Sequence, residues 1–231
     1  MLPTHETFDF TSLTFDAAPK PTRSGGKMVW VSYASNQVQF QLGRSPKDTL
    51  RCPYGFEASR EEPDRFHIKL ELTPETKSFF LELERKTTAA AEENAMSWFK
   101  KSPPNATYNS CIKQQSVGRP DVVKLRVITE GKNATVVRLA SWKNGKLTKP
   151  IQGKHEDIKP NSYVLPIVKI QGGVYFVSKT YGTSLVASAV LVVNEERSDP
   201  HLGNLEFDYG DVEMTDAEEE SDDVSEASVC N

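Results

Sequence analysis

Few residues of this chain have the type and spacing that covalent chemistry requires. The four histidines share no metal-ligand spacing, and the three cysteines form no CxxC pair. Neither a GxxxxGKS/T phosphate-binding loop nor a GxSxG or HExxH motif is present. We therefore expect a protein that is not an enzyme and that holds no metal or other cofactor.

The chemistry that the sequence favours is the binding of polyanions by interleaved cations and aromatic rings. Residues 109–181 carry thirteen Lys or Arg residues against four acidic ones. Lys124 and Arg126 alternate with apolar residues, so on a strand they share one face. Basic grooves with aromatic rings suit single strands, because phosphates supply affinity and each exposed base can stack. The candidate nucleic-acid-binding residues are Trp30, Tyr33, Lys113, Arg119, Lys124, Arg126, Arg138, Trp142, Lys143, Lys146, Tyr175, Lys179 and Tyr181.

Two of these aromatic residues lie at predicted turns. Trp142 precedes Asn144-Gly145, a strong signal for a tight hairpin turn, and lysines flank it. Tyr181 lies in KTYGT, again beside a lysine and a glycine. A ring at the rim of a turn is well placed to stack on a base. For each aromatic residue taken singly, burial in the core stays open as the alternative.

Charge is distributed unevenly along the chain. The net charge is −4, yet residues 204–231 contain eleven acidic side chains and no Lys or Arg, which leaves +7 on residues 1–203. An acidic tail on a basic body predicts a tethered anion that competes with nucleic acid or recruits a partner. A purely solubilising tail stays open. The acidic residues assigned to this role are Asp216, Glu218, Glu219, Glu220, Asp222 and Asp223.

The elements that must position the cations are mostly strands. Residues 27–42 read as a hairpin with its turn at Ser35-Asn36, and FHIKLEL (66–72) alternates with period two. Thr73-Pro74 predicts the start of one long helix, with a break near Lys86-Thr87-Thr88.

The second half of the chain reads as further strands. Residues 122–128 and 135–141 flank a hairpin-type connection at 131–133. Three later strands are separated by Gln171-Gly172-Gly173 and by Tyr181-Gly182-Thr183.

These elements predict a mainly β fold, an OB-like barrel with one long inserted helix and a disordered acidic C-terminal tail. The predicted organisation is a flexible or loosely docked N-terminal arm (1–26), a nucleic-acid-binding domain (27–195) and the tail (196–231). No run of 18 apolar residues occurs, and the first residues lack the features of a signal peptide, so we expect an intracellular protein with no membrane partner.

The segment VLPIVKIQGGVYFVSKTYGTSLVASAVLVV (164–193), together with YGF (54–56) before the FHIKLEL strand, the long helix and the acidic tail, resembles the single-stranded DNA-binding proteins of T7-type phages. It is also similar to related replication proteins of large nucleocytoplasmic DNA viruses of algae and protists. The resemblance covers about residues 27–195 plus the tail.

This resemblance implies an OB fold that coats single-stranded DNA during replication, recombination and repair, in the host nucleus or at a cytoplasmic replication site. It implies a tail that contacts a DNA polymerase or helicase and is displaced when DNA binds. The resemblance implies a tail that ends in an aromatic residue, as the phage tail does, whereas this chain ends in Val229-Cys230-Asn231. This difference leaves tail-mediated homodimerisation and partner docking open. Two other functions stay open as well: an acidic-tailed interaction module or chaperone for basic proteins, and an RNA-binding protein.

Overall fold

Two long antiparallel strands, β15 (Ser162–Val177) and β16 (Thr180–Asn194), form the centre of the fold. Both segments are rich in valine and other β-branched residues, which favour extended backbone. Ser178 adopts a φ of 53° in the turn that joins them. The computed structural model describes residues 2–22, 26–59, 62–102 and 104–194.

Fourteen shorter strands and two α-helices accompany this pair in the described residues. The strands are β1 (Leu13–Phe15), β2 (Lys20–Pro21), β3 (Lys27–Tyr33), β4 (Asn36–Gln37), β5 (Gln39–Gln41), β6 (Leu50–Cys52), β7 (Glu57–Ala58), β8 (Phe66–Glu71), β9 (Thr107–Tyr108), β10 (Ile112–Lys113), β11 (Val122–Val127), β12 (Val136–Lys143), β13 (Lys146–Leu147) and β14 (Ile151–Gln152). The helices are α1 (Pro74–Glu93) and α2 (Ala95–Phe99).

The free edges of the central pair organise the sheet. Strands β6, β5 and β3 pair in succession along β15, while β9, β11 and β12 pair along β16. The main path runs β1-β3-β15-β16-β11-β8-β7. The mainly β fold with one long helix is confirmed. Within the described residues the path does not return to its first strand, so the sheet is open where a barrel would be closed.

Helix α1 packs its apolar face on the core. Thr73 caps the first turn, its hydroxyl accepting from the Thr76 backbone N–H at 3.3 Å, and Pro74 follows as predicted. Phe79 and Phe80 pack against Phe40, with ring centroids 4.7 and 6.3 Å away.

The predicted break of this helix at residues 86–88 is wrong. The Thr87 hydroxyl donates to the Leu83 carbonyl at 2.8 Å, so the threonine is accommodated inside a continuous helix. The helix ends at Asn94 instead.

In its described residues the N-terminal segment is docked on the core, which departs from the flexible alternative predicted for residues 1–26. Phe8 and Leu13 are buried, and the Phe8 ring lies 5.5 Å from that of Phe79. Strand β1 pairs with β3, which satisfies its backbone polar groups. The sequence reading missed the apolar residues that precede the proline-rich stretch.

The predicted acidic tail, including the boundary at 195, lies outside the described residues.

The turns differ from prediction in ways that matter for the site. The residues 172–173 interrupt the register inside β15, and Tyr181-Gly182-Thr183 pairs inside β16, so neither is a turn. The turn between β3 and β4 is Ala34-Ser35, one residue earlier than predicted, with φ of 45° and 66°. The predicted hairpin of 122–128 with 135–141 is also wrong, because β11 and β12 each pair in parallel with β16.

No helix in the described part of the chain has the length and apolarity needed to span a bilayer.

Candidate nucleic-acid interface

A cleft of about 860 Å³ opens on the outer face of β3, β15 and β11; we call it the aromatic cleft. Its lining combines one exposed and one half-buried aromatic ring with cations, and no Asp or Glu is among the described residues that line it. The lining residues include Lys20, Met28, Trp30, Arg126, Gln171 and Tyr175. The cleft therefore combines flat apolar surfaces with positive charge, as binding of a polyanion with aromatic bases requires.

Trp30 faces solvent because of strand alternation. Its neighbours Val29 and Val31 are 0% and 7% exposed, whereas Trp30 is 49% exposed. Two glycines permit the packing beneath the ring. A Cβ on Gly173, the register partner of Trp30, would lie 1.9 Å from the Val29 carbonyl oxygen, and a Cβ on Gly172 would lie 2.3 Å from Met28 Sδ. Only glycine allows β3 and β15 to approach this closely.

Tyr175 forms another wall of the cleft and is held in place by its hydroxyl. The half-buried ring lies opposite Met28 in the β3–β15 register. Asn109 donates from Nδ2 to the Tyr175 hydroxyl at 2.8 Å, and Asn109 Oδ1 accepts from Lys113 Nζ at 2.9 Å. The tyrosine is thus fixed by a side chain that also orients a lysine.

Arg126 and Lys124 project from one face of β11. Both are exposed, and the intervening Val123, Leu125 and Val127 are buried, as the sequence predicted. Arg126 lies 3.5 Å from Gln171 Oε1. Within the described residues neither cation forms an ion pair, so both charges are available to a ligand.

Lys124 lines a second cleft, of about 330 Å³, which we call the basic cleft. Lys113 and Arg119 line it too, so the structure brings these three predicted residues together. Lys69 Nζ lies 4.8 Å from the centroid of the Tyr54 ring, a cation–π contact. The described lining of this cleft likewise contains no carboxylate.

His67 is buried and lines neither cleft. It is the register partner of Arg126 on β8, and its Nε2 lies 3.4 Å from Glu57 Oε2. Burial lowers the pKa of His67, and the charges of Lys124 and Lys69 lower it further against the opposing effect of Glu57. The histidine is consequently neutral at neutral pH and adds no charge to the site.

The structure contradicts one predicted aromatic contact, that of Tyr181, and places a second predicted residue, Tyr33, away from the aromatic cleft. Tyr181 is 4% exposed and packs against Phe99 and Tyr108, with centroids 5.2 and 5.4 Å away. Tyr181 lies in β16 and not at a turn, and its ring faces the core. Tyr33 is half-buried on the opposite face of β3 from Trp30, against the Phe8 ring at 4.4 Å.

Five other predicted residues lie outside both clefts. Arg138 is on β12, and Trp142, Lys143 and Lys146 surround the hairpin turn at Asn144-Gly145, which forms as predicted. Lys179 is exposed in the turn between β15 and β16. These contacts stay predictions without support from the cleft geometry. The acidic residues Asp216, Glu218, Glu219, Glu220, Asp222 and Asp223 lie outside the described residues.

Sequence reasoning missed several residues that line the clefts. Tyr54 and Lys69 belong to the basic cleft, and Lys20, Met28 and Gln171 belong to the aromatic cleft. One signal was available: the alternation of FHIKLEL places Lys69 on the polar face of β8. The pairing of β8 with β11, which sets Lys69 opposite Lys124, is not visible in the sequence.

Comparison with known proteins yields structural neighbours. No family model matches the chain, and a search of curated proteins gives no significant match. The single-stranded DNA-binding protein from bacteriophage Enc34 in complex with ssDNA is similar, with a TM-score of 0.40, 13% identity, and coverage of 76% of this chain and 93% of that chain. Its C-terminally truncated form gives a TM-score of 0.40 at 12% identity, covering 77% of this chain and 94% of that one.

A third neighbour is gp2.5, a single-stranded DNA-binding protein encoded by bacteriophage T7. Its TM-score is 0.41 at 16% identity, with coverage of 77% of this chain and 100% of that chain. These matches agree with the resemblance to the T7 type noted from the sequence. The likeness to proteins of large viruses of algae and protists stays a prediction.

Proposed function

We propose that this protein binds single-stranded DNA in the aromatic cleft without strong sequence preference. The observation that carries the proposal is Trp30, 49% exposed in a cleft that Arg126 lines and whose described lining has no carboxylate. The indole and the Tyr175 ring offer surfaces on which bases stack. Arg126, which forms no ion pair with a described residue, offers charge to phosphates, whereas Lys20 is paired with Asp16 at 2.6 Å.

The same geometry favours single strands over duplex. A duplex hides the faces of its bases, so an exposed indole gains little from it, whereas every unpaired base has a free face. Stacking tolerates all four bases, which accounts for the expected lack of sequence preference. Binding of this kind suits a protein that protects exposed strands during replication, recombination and repair.

The acidic tail completes the proposal. Eleven carboxylates in residues 204–231 form an anion tethered to a body of net charge +7 on residues 1–203. In this proposal the tail competes with DNA for the cations, or recruits a replication protein such as a polymerase or helicase. The choice of DNA over RNA depends on the 2′-hydroxyl and is part of the proposal.

The test is fluorescence anisotropy with labelled oligo-dT, an equal-length duplex and matched RNA, at two salt concentrations. The full chain is compared with a chain that ends at Gly203. We expect preferential binding of the single DNA strand that weakens with salt and tightens on truncation. Equal binding of duplex, or binding of neither, would sink the DNA proposal; tighter binding of RNA would replace it with an RNA-binding function. Partner binding lost on truncation, without any DNA binding, would favour the interaction module.

A further inference from the structure

The two clefts are joined by an unbroken row of cations. Arg126 lines the aromatic cleft and Lys124 lines the basic cleft, and the two lie two residues apart on the exposed face of β11. This spacing corresponds to about 7 Å along the strand. Along β11 only Leu125 lies between them, and its side chain is buried. The described acidic residue Glu57 contacts Lys69 and His67, their register partners on β8, and leaves Lys124 and Arg126 without an ion pair.

A second link runs through Asn109. Its side-chain Nδ2 donates to the Tyr175 hydroxyl in the aromatic cleft, and its side-chain Oδ1 accepts from Lys113 Nζ, which belongs to the basic cleft. Asn109 therefore fixes Tyr175 of the aromatic cleft relative to Lys113 of the basic cleft.

The basic cleft has the parts of a nucleotide subsite. Lys113, Arg119 and Lys124 form no ion pair with any described residue, whereas Lys69 is shared with Glu57 at 3.2 Å. The Tyr54 ring lies at the same cleft, and its hydroxyl donates to Gln115 Oε1 at 2.8 Å, which fixes its orientation. The basic cleft therefore places three cations without ion pairs beside one held ring, whereas in the aromatic cleft only Arg126 forms no ion pair with a described residue.

We infer that one DNA strand runs from Trp30 across Arg126 and Lys124 into the basic cleft, where Tyr54 and the cations around it hold a further segment of the strand. This inference rests on the proposed single-strand binding and adds the path and the length of the bound segment. Short oligonucleotides fill the aromatic cleft alone. Longer ones also engage the basic cleft.

The test measures affinity as a function of oligonucleotide length, from about 3 to about 12 nucleotides of labelled oligo-dT. The full-length variant Lys113→Glu/Arg119→Glu reverses two exposed charges in the basic cleft. Its matched control is Lys47→Glu/Lys101→Glu, which reverses two exposed charges that line neither cleft. Circular dichroism and thermal unfolding establish that both variants are folded.

We expect the Lys113→Glu/Arg119→Glu variant to lose at least tenfold in affinity for the longest oligo-dT and less than twofold for the shortest. Its salt dependence on long oligo-dT should fall by about 1.4 in log–log slope, since each lost contact to a single-stranded phosphate contributes about 0.7. The control should match the wild type at every length. An equal loss at all lengths, or no loss at any length, would overturn the path. Failure of the wild type to bind oligo-dT of any length would instead overturn the proposed function itself.

Discussion

The ring of Tyr175 packs over Gly182, its register partner on β16: a Cβ at Gly182 would lie 3.1 Å from the Tyr175 hydroxyl oxygen. The same Cβ would lie 2.9 Å from the Asn109 carbonyl oxygen. The glycine therefore makes room both for the aromatic ring and for the residue that holds its hydroxyl.

Gly182→Ala should accordingly displace Tyr175 and Asn109. We expect an overpacking cost of about 1–3 kcal/mol in the free energy of unfolding, together with weaker oligo-dT binding. Urea denaturation and anisotropy measure the two effects. The matched control is Gly145→Ala, where a Cβ would meet nothing within 4 Å; its φ of 71° costs some stability, but the site is distant from both clefts. Unchanged DNA affinity in folded Gly182→Ala would show that the position of Tyr175 is irrelevant to binding.

Trp30→Ala should weaken oligo-dT binding by about 1–3 kcal/mol, the range found for removal of one stacking ring. Because Trp30 is 49% exposed, the free energy of unfolding should change by about 1 kcal/mol or less. Trp142→Ala is the control, since Trp142 lies outside both clefts. Anisotropy titrations with labelled oligo-dT measure the affinity of both variants. A larger loss for Trp142→Ala would return the binding surface to the β12–β13 hairpin.

Arg126→Gln should reduce the salt dependence of oligo-dT binding by about 0.7 in log–log slope, because one phosphate contact is lost. Arg138→Gln removes an equally charged, exposed strand residue that lines neither cleft, and should leave the slope unchanged. The measurement is the affinity at several salt concentrations. Identical slopes for wild type and Arg126→Gln would remove Arg126 from the interface.

Tyr181→Phe should bind oligo-dT as the wild type does, because the ring is enclosed by Phe99, Tyr108 and Phe176 and cannot reach a base. Tyr181→Ala should instead lower the free energy of unfolding by about 3–5 kcal/mol through the cavity it leaves. Chemical denaturation checks the second expectation. A stable Tyr181→Ala protein that has lost DNA binding would restore the stacking role predicted from sequence.

His67 should make the fold less stable in mild acid. Burial, followed by Lys124 and Lys69, lowers its pKa in the folded protein, whereas the unfolded chain takes up a proton near the ordinary value of about 6.5. The unfolded state thus binds more protons as the pH falls through this value, so stability present above it is lost below it, down to the folded-state pKa.

The measurement is urea denaturation at about pH 7.5 and about pH 5.5 for the wild type and His67→Gln. We expect a smaller loss of stability in the variant. Burial also lowers the pKa of His5, but His5 is present in both proteins and its contribution cancels. An equal loss in both proteins would show that His67 does not contribute.

Local patterns sufficed where a feature depends on neighbours in the chain. Thr73-Pro74 was identified as a helix start because a cap needs only the first turn, and Asn144-Gly145 as a tight turn because its φ angles of 50° and 71° suit these residues. The same logic misplaced the turn at Tyr181-Gly182, where glycine serves the packing of a ring instead of a reversal of the chain. A glycine occurs both in a tight turn and where two segments pack closely, and only the partner strand shows which of the two applies.

By itself, then, the sequence determined that this is a mainly β protein with one long helix, and that Lys124 and Arg126 stand together in solvent, because period-two alternation is a local property of a strand. Tertiary structure decided which aromatic rings are exposed: Trp30 is exposed and Tyr181 is buried. It also brought Lys69 to Lys124, through pairing of strands more than fifty residues apart. Such choices depend on strand register and on what packs against each face, and neither is encoded within a short window of the chain.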